Sequence, residues 1–132
     1  MDRVTITPDP IAVADFSSLL CRDHCCGAQE VFLGVVRKTN EGKQVSAIEY
    51  ECYVEMARGE GLKIVQEAQG LWPVHHVFMV HRIGKVLVGE PSLFVGVSSP
   101  HRGEAFRALE YMVEEIKKRL PIWKKETPLA HP

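Results

Sequence analysis

The chain has 132 residues, 45% of them hydrophobic and 25% charged, with a formal net charge of −1. That size and composition predict one globular domain with a substantial core, and a balance so near zero excludes a global electrostatic attraction to nucleic acid or anionic membranes. No run approaches the roughly 18 apolar residues of a membrane span, and the opening MDRVTITPDP lacks a charged-then-apolar signal pattern, so a cytoplasmic protein is expected.

Residues 4–7 (VTIT) form a short β-rich run that Pro8 and Pro10 break. Residues 11–20 read as a short helix with Ile11, Val13, Ala14, Leu19 and Leu20 on its apolar side. Residues 27–37 (GAQEVFLGVVR) predict a buried strand, with Gly34 marking a bulge or a close approach by another chain or a ligand. A turn at Thr39-Asn40-Glu41-Gly42 and alternating residues 45–53 then predict a hairpin. Residues 55–71 predict a helix weakened by Gly59 and Gly61 and ended by Trp72-Pro73. Strands follow at 74–80, 86–88 and 93–98, with corners at 81–84 and 89–91. The order is that of an α+β domain, with mixed and antiparallel sheets rather than regular crossovers.

Cys21, Cys25, Cys26 and Cys52 are expected as reduced thiols. With His24, the first three invite a metal reading. Their spacing fits none of the paired Cys/His zinc patterns, so small buried or semi-buried thiols are expected and no metal site is assigned.

The longest element is the helix predicted over 99–120. Ser99 suits the N-cap and Pro100 the first helical position, and Pro121 stops the helix. Ala105, Phe106, Leu109, Met112, Val113, Ile116 and Leu120 form one apolar stripe about 100° wide. Arg102 projects into the middle of that stripe, which demands a partner or a cavity. Lys117 falls at its margin. It is either a snorkelling side chain or a partly desolvated amine, suited to acid–base work near neutrality. His101 and Arg102 stand where a helix start attracts anions, or where a nearby Glu pairs with them. Trp123, Lys124, Lys125 and Glu126 follow in a non-helical, solvated tail.

From Gly27 to Glu126 the chain resembles the large, catalytic subunit family of molybdopterin synthase (MoaE-like). Its landmarks are GVVR at 34–37, YE at 50–51 with MA at 56–57, HRIG at 81–84, SPHRGEAF at 99–106 and KKRLPIWKKE at 117–126. The match is loose over 1–26, and 127–132 form a short tail of the same single domain. The resemblance implies a hammerhead-like α+β fold that dimerises. Each large subunit binds one small ubiquitin-like sulfur carrier, giving a heterotetramer. The carrier's C-terminal Gly-Gly thiocarboxylate supplies sulfur to cyclic pyranopterin monophosphate, which becomes the molybdopterin dithiolene without a metal or redox cofactor. By the same resemblance Lys117 and Lys124 are the catalytic lysines. Val35, Val36, Arg37, His101, Arg102, Lys125 and Glu126 belong to the segments that bind substrate. Val35 stands where some members carry a basic residue. A non-catalytic domain that docks a ubiquitin-like partner is the alternative, although such a domain has no need of both lysines. A stand-alone pterin- or nucleotide-phosphate enzyme would need its own nucleophile or metal set, and none stands out.

His101 and Lys117 are 16 residues apart, or about 24 Å along a helix. One pterin monophosphate cannot span that distance. A site shared across a dimer interface is therefore expected, with Lys117, Lys124 and Arg37 from one protomer and His101 and Arg102 from the other.

Overall fold

The computed structural model describes residues 3–20, 22–40 and 42–129. Cys21, the turn residue Glu41 and the final Ala130, His131 and Pro132 lie outside the described residues. The elements run β1 (Val4–Thr7), α1 (Val13–Leu20), β2 (Ala28–Val35), β3 (Thr39–Asn40), β4 (Lys43–Cys52), α2 (Val54–Leu71), β5 (His76–Arg82), β6 (Gly84–Leu87), β7 (Pro91–Ser99), α3 (Arg102–Arg119) and β8 (Ile122–Pro128).

One sheet has the order β1-β5-β7-β2, with β1 parallel to β5 and the other pairs antiparallel. Helices cover both faces of its centre. On one side α2 and α3 bury Val77, Met79, Val95 and Val97; on the other, Phe78, Val80 and Phe94 pack with Leu20 and Phe16 of α1. This two-sided burial explains why β5 and β7 read as nearly unbroken apolar runs instead of alternating. β2 lies at the sheet edge and does alternate: Val31, Leu33 and Val35 are exposed, while Ala28 and Phe32 face the helices. Gly61 brings α2 down onto the sheet, because a Cβ there would lie 3.0 Å from Val4 Cγ1 and 3.2 Å from Met79 Sδ. A helix-weakening residue in the sequence is thus a packing requirement in the fold.

The second sheet is built on β4, which pairs antiparallel with β3, β6 and β8. Several sequence expectations change here. The 27–37 and 45–53 segments do not pair with each other. β2 pairs with β7 and β4 with the second sheet, because the turn near Gly42 closes a hairpin with the short β3 instead. β5 extends to Arg82, so the corner shrinks to Ile83 and Gly84, whose φ of 82° suits glycine. The presumed tail of Trp123, Lys124, Lys125 and Glu126 is strand β8, held along β4 from Cys52 to Val45.

The ends and the faces of two helices also differ. Strand β7 continues through Ser99, and the Pro100 carbonyl accepts a hydrogen bond from Gly27 N–H at 3.3 Å. Pro100 is therefore outside the helix, His101 is the N-cap residue in extended conformation, and Ser99 instead donates its hydroxyl to the His101 carbonyl. The buried line of α3 is Ala105, Ala108, Met112, Ile116 and Leu120. Phe106 is 52% exposed and Arg102 is also exposed, so Arg102 needs no buried partner. Two alanines let α3 sit close to the sheet, and this rotates the stripe away from the larger Phe106. In α1, Ala14 is exposed, and Phe16 supplies the ring contacts to Phe78 and Phe94 at 6.1 and 5.8 Å.

An ionic clamp joins α2 to α3. Arg119 donates to Glu67 in a bidentate pair at 2.6 and 2.9 Å and to Glu60 at 2.8 Å; the Tyr111 hydroxyl also donates to Glu67. Arg119 and then Tyr111 hold the Glu67 carboxyl down at about 2, below its usual 4.5. A depressed carboxyl contributes stability that is full above its unfolded value and is lost as pH falls through the folded one. Stability is therefore expected to fall from about pH 4.5 towards 2. Glu67→Gln should be less stable at neutral pH and lose less on acidification; urea midpoints measured across that window check this.

Candidate active site

Where the two sheets meet, a cavity of about 680 Å³ opens between β2, β4, the last turns of α3 and β8. Its making begins at the bulge in β2. Gly34 pairs with Leu93 but Val35 with Pro91, and the register slips between them. The strand then leaves the sheet. Val36 donates its N–H to the Glu90 carbonyl at 3.1 Å and buries its side chain with Ile48 and Val86. Anchored this way, the chain presents Arg37 at the cavity wall. The bulge expected at Gly34 is present, and a Cβ there would lie 3.3 Å from the Phe32 ring.

The opposite wall follows from the helix stop. The Leu120 N–H closes the last turn onto Ile116, and β8 begins two residues later. This reversal places Lys117 on the last helical turn and Lys124 on β8, opposite Tyr50 in register, in one cavity. The Lys117 ammonium lies 5.5 Å from the centroid of the Phe32 ring, a cation–π contact. Its side chain is exposed, so the burial expected at the stripe margin is absent from the single chain. A substrate or a partner covering the cavity would have to supply that desolvation.

Arg37, Lys117 and Lys124 give the cavity three cationic side chains, and no acidic residue lines it among the described residues. The remaining wall is largely apolar, including Phe32, Val35, Leu120 and Ile122. Such a site suits a flat heterocycle carrying an anionic group. Val35 and Val36 both line it, Val35 as an exposed apolar residue and Val36 as a buried anchor.

His81 and Tyr50, which sequence reasoning treated only as family landmarks, also line the cavity. The His81 ring is buried and lies edge-on to Tyr50 at 5.3 Å. Because a carbonyl can only accept, its Nδ1–H donates to Arg82 O at 2.8 Å. Burial pushes its pKa down, so it is a neutral imidazole with its tautomer set. The available signal was a histidine inside the apolar run VFMVH.

Four candidates lie elsewhere. His101 and Arg102 are exposed at the far end of α3 and do not line this cavity. Alternation along β8 turns Lys125 to the face opposite Lys124. Glu126 shares the Lys124 face, half-buried opposite Ile48.

Comparison with known proteins adds a lineage to this geometry. A family model described as MoaE protein matches residues 6–119. The chain is 42% identical over 127 residues to the molybdopterin synthase catalytic subunit of Drosophila erecta, covering 96% of this chain and 34% of that protein. It is 39% identical over 125 residues to the human protein of that name, covering 95% of this chain and 66% of that one. It thus spans from a third to two thirds of the length of these relatives. Among solved structures it is similar to molybdopterin synthase from Staphylococcus aureus, with a TM-score of 0.91, 36% identity and coverage of 99% of this chain and 95% of that one.

With its stem exposed and its ammonium on an aromatic face, Lys117 contributes little to the core. Lys117→Ala should lower stability by about 1 kcal/mol or less, the scale of a single exposed cation–π contact. Thermal or urea denaturation checks this; a loss comparable to a core truncation would make the lysine structural.

Proposed function

Because the chain belongs to the MoaE family, we propose that it is the catalytic subunit of a molybdopterin synthase. In this reading it transfers sulfur from the thiocarboxylated Gly-Gly terminus of a small ubiquitin-like carrier to cyclic pyranopterin monophosphate. The observation that carries the proposal is the acid-free cavity that gathers Arg37, Lys117 and Lys124 beside an apolar wall.

The substrate is a heterocycle with a cyclic phosphate. Arg37 holds the phosphate, and the apolar wall takes the pterin. The carrier's extended tail reaches the cavity along the β2 bulge at Gly34 and Val35. Attack by the thiocarboxylate sulfur forms a carbon–sulfur bond and opens the cyclic phosphate. Water then cleaves the resulting acyl thioester, returning a carboxylate to the carrier and leaving sulfur on the pterin. A second carrier delivers its sulfur to the adjacent side-chain carbon, whose oxygen leaves as water, and hydrolysis of that acyl thioester completes the dithiolene. Lys117 and Lys124 stabilise the negative charge that develops in these steps and supply protons. The transfer calls on no metal or redox cofactor, and its setting is the cytoplasm. No described helix is long and apolar enough to cross a membrane.

The distance along α3 supports a homodimer, and with two carriers a heterotetramer. In it His101 and Arg102 of one protomer complete the cavity of the other. Lys125 and Glu126 act at the margin of β8 rather than inside.

The direct test supplies a thiocarboxylated carrier and the cyclic pterin and measures dithiolene product. Lys117→Ala and Lys124→Ala should each lower turnover at least about 100-fold, the scale of lost acid–base or electrostatic assistance. Folded variants that keep near-normal turnover would remove these lysines from the chemistry, and an unsubstituted chain that binds the carrier but forms no dithiolene would be a docking module. Shared sites are tested by mixing His101→Ala and Lys117→Ala chains. Heterodimers carry one intact site each, so random pairing should restore about a quarter of normal activity. Heterodimers seen by native mass spectrometry without activity would place each site within one chain.

A further inference from the structure

A second cluster of reactive side chains lies away from the cationic cavity, where loop 22–27 passes the start of β5. Asp23 is its centre. One carboxylate oxygen accepts from Cys25 N–H at 2.9 Å; the other accepts from His75 Nδ1 at 2.9 Å and His76 Nε2 at 3.1 Å. The Cys26 thiol completes the group. One ligand atom each from Asp23, Cys26 and His75 lie within 4.8 Å of one another.

The backbone holds these side chains in place. Cys26 N–H donates to the Asp23 carbonyl at 3.2 Å, and His75 N–H donates to the Ser98 carbonyl at 2.9 Å. Ser98 matters twice. Its hydroxyl is fully buried and has no hydrogen-bond partner. Burial pushes the neighbouring Cys26 thiol up from its ordinary value, and the Ser98 hydroxyl offsets part of that rise. An unpartnered buried hydroxyl beside a thiol is available as an outer-sphere partner of a metal thiolate. Access is open as well, because His75 and His76 are exposed at the mouth of a cavity of about 710 Å³.

We propose that Asp23, Cys26 and His75 form a binding site for a divalent transition-metal ion, zinc in particular, with His76 orienting the Asp23 carboxylate and solvent taking the fourth position. A mixed oxygen, nitrogen and sulfur set suits zinc and is wrong for magnesium or calcium, which take six or more oxygen ligands. Tetrahedral ligands held about 2.0–2.3 Å from zinc are about 3.4 Å apart. Ligand atoms within 4.8 Å of one another reach that spacing when side-chain rotations close the widest pair by at most about 1.4 Å. Carboxylate and thiolate together neutralise the ion. Arg22 and Arg3 line the same cavity and oppose it, although Arg3 is drawn to Gln69 by a 2.8 Å hydrogen bond. Binding releases the thiol proton, while His75 shifts its proton from Nδ1 to Nε2 to free a lone pair. The bound ion would fasten the loop after α1 to β5 and β7. Spacing within residues 21–26 could not show this site, because its histidine ligand comes from residue 75.

The test is a cobalt titration of the reduced, chelator-stripped full chain. One equivalent should bind with an intense near-ultraviolet thiolate-to-cobalt band and tetrahedral visible bands, and zinc should displace it. Cys26→Ser should abolish the ultraviolet band. His75→Ala and Asp23→Asn should each weaken binding at least tenfold, and Cys25→Ser and Cys52→Ser should leave it unchanged. A second measurement needs no variant: zinc should slow alkylation of Cys26, located by mass spectrometry, and spare the rate at Cys52. The proposal is overturned if cobalt fails to bind at micromolar concentration, if the band is absent or survives in Cys26→Ser, or if zinc leaves Cys26 alkylation unchanged. The Asp–His contacts would then be simple hydrogen bonds pinning the loop.

Discussion

The pairing of β8 with β4 is the interaction on which the rest of this structure depends. Seven residues that follow a helix stop lie along a strand of the other sheet, from Cys52 back to Val45. That ladder joins the helix-covered sheet to the β4 sheet and closes the cavity between them. It also decides which lysine faces inward, since strand alternation turns Lys124 to the cavity and Lys125 away. Without it, Lys117 would stand alone at a helix end.

The cavity then works by charge and shape together. Three cations unrelieved by any acid among its described lining residues raise the local potential in a protein whose net charge is only −1. The apolar wall lowers the dielectric around them once a ligand displaces water, so each charge acts more strongly. His81 adds a neutral imidazole held by a backbone carbonyl. The proposed sulfur transfer uses this combination, and the rigid α3 sets its reach. A helix cannot bring its two ends together, so residues at His101 and Lys117 serve one substrate only when two chains meet.

The two sites sit on one scaffold for the same reason. β5 and β7 are buried on both faces and form a stiff centre, and each site grows where chain leaves that centre. At the C-terminal end of β2 the bulge opens the cationic cavity. Near the start of β5 the loop after α1 is tied to β7 through Ser98, and thiol, carboxylate and imidazole converge there.

Much of this was present in local sequence. Periodicity located α2 and α3, Pro121 marked the helix stop, Gly34 marked the bulge, and the ordered motifs from GVVR to KKRLPIWKKE carried the family and contain the two lysines that line the cavity. These are properties of neighbouring residues, where backbone sterics and a fixed period act directly. Tertiary structure decided the rest. It made the basic tail a strand, rotated the buried line of α3 onto Ala105 and Ala108, exposed Phe106 and Arg102, and brought His75 to Cys26. The physical reason is common to all four: strand pairing, helix approach and ligand convergence join residues far apart in the chain, and a local pattern does not encode which distant surface a residue will meet.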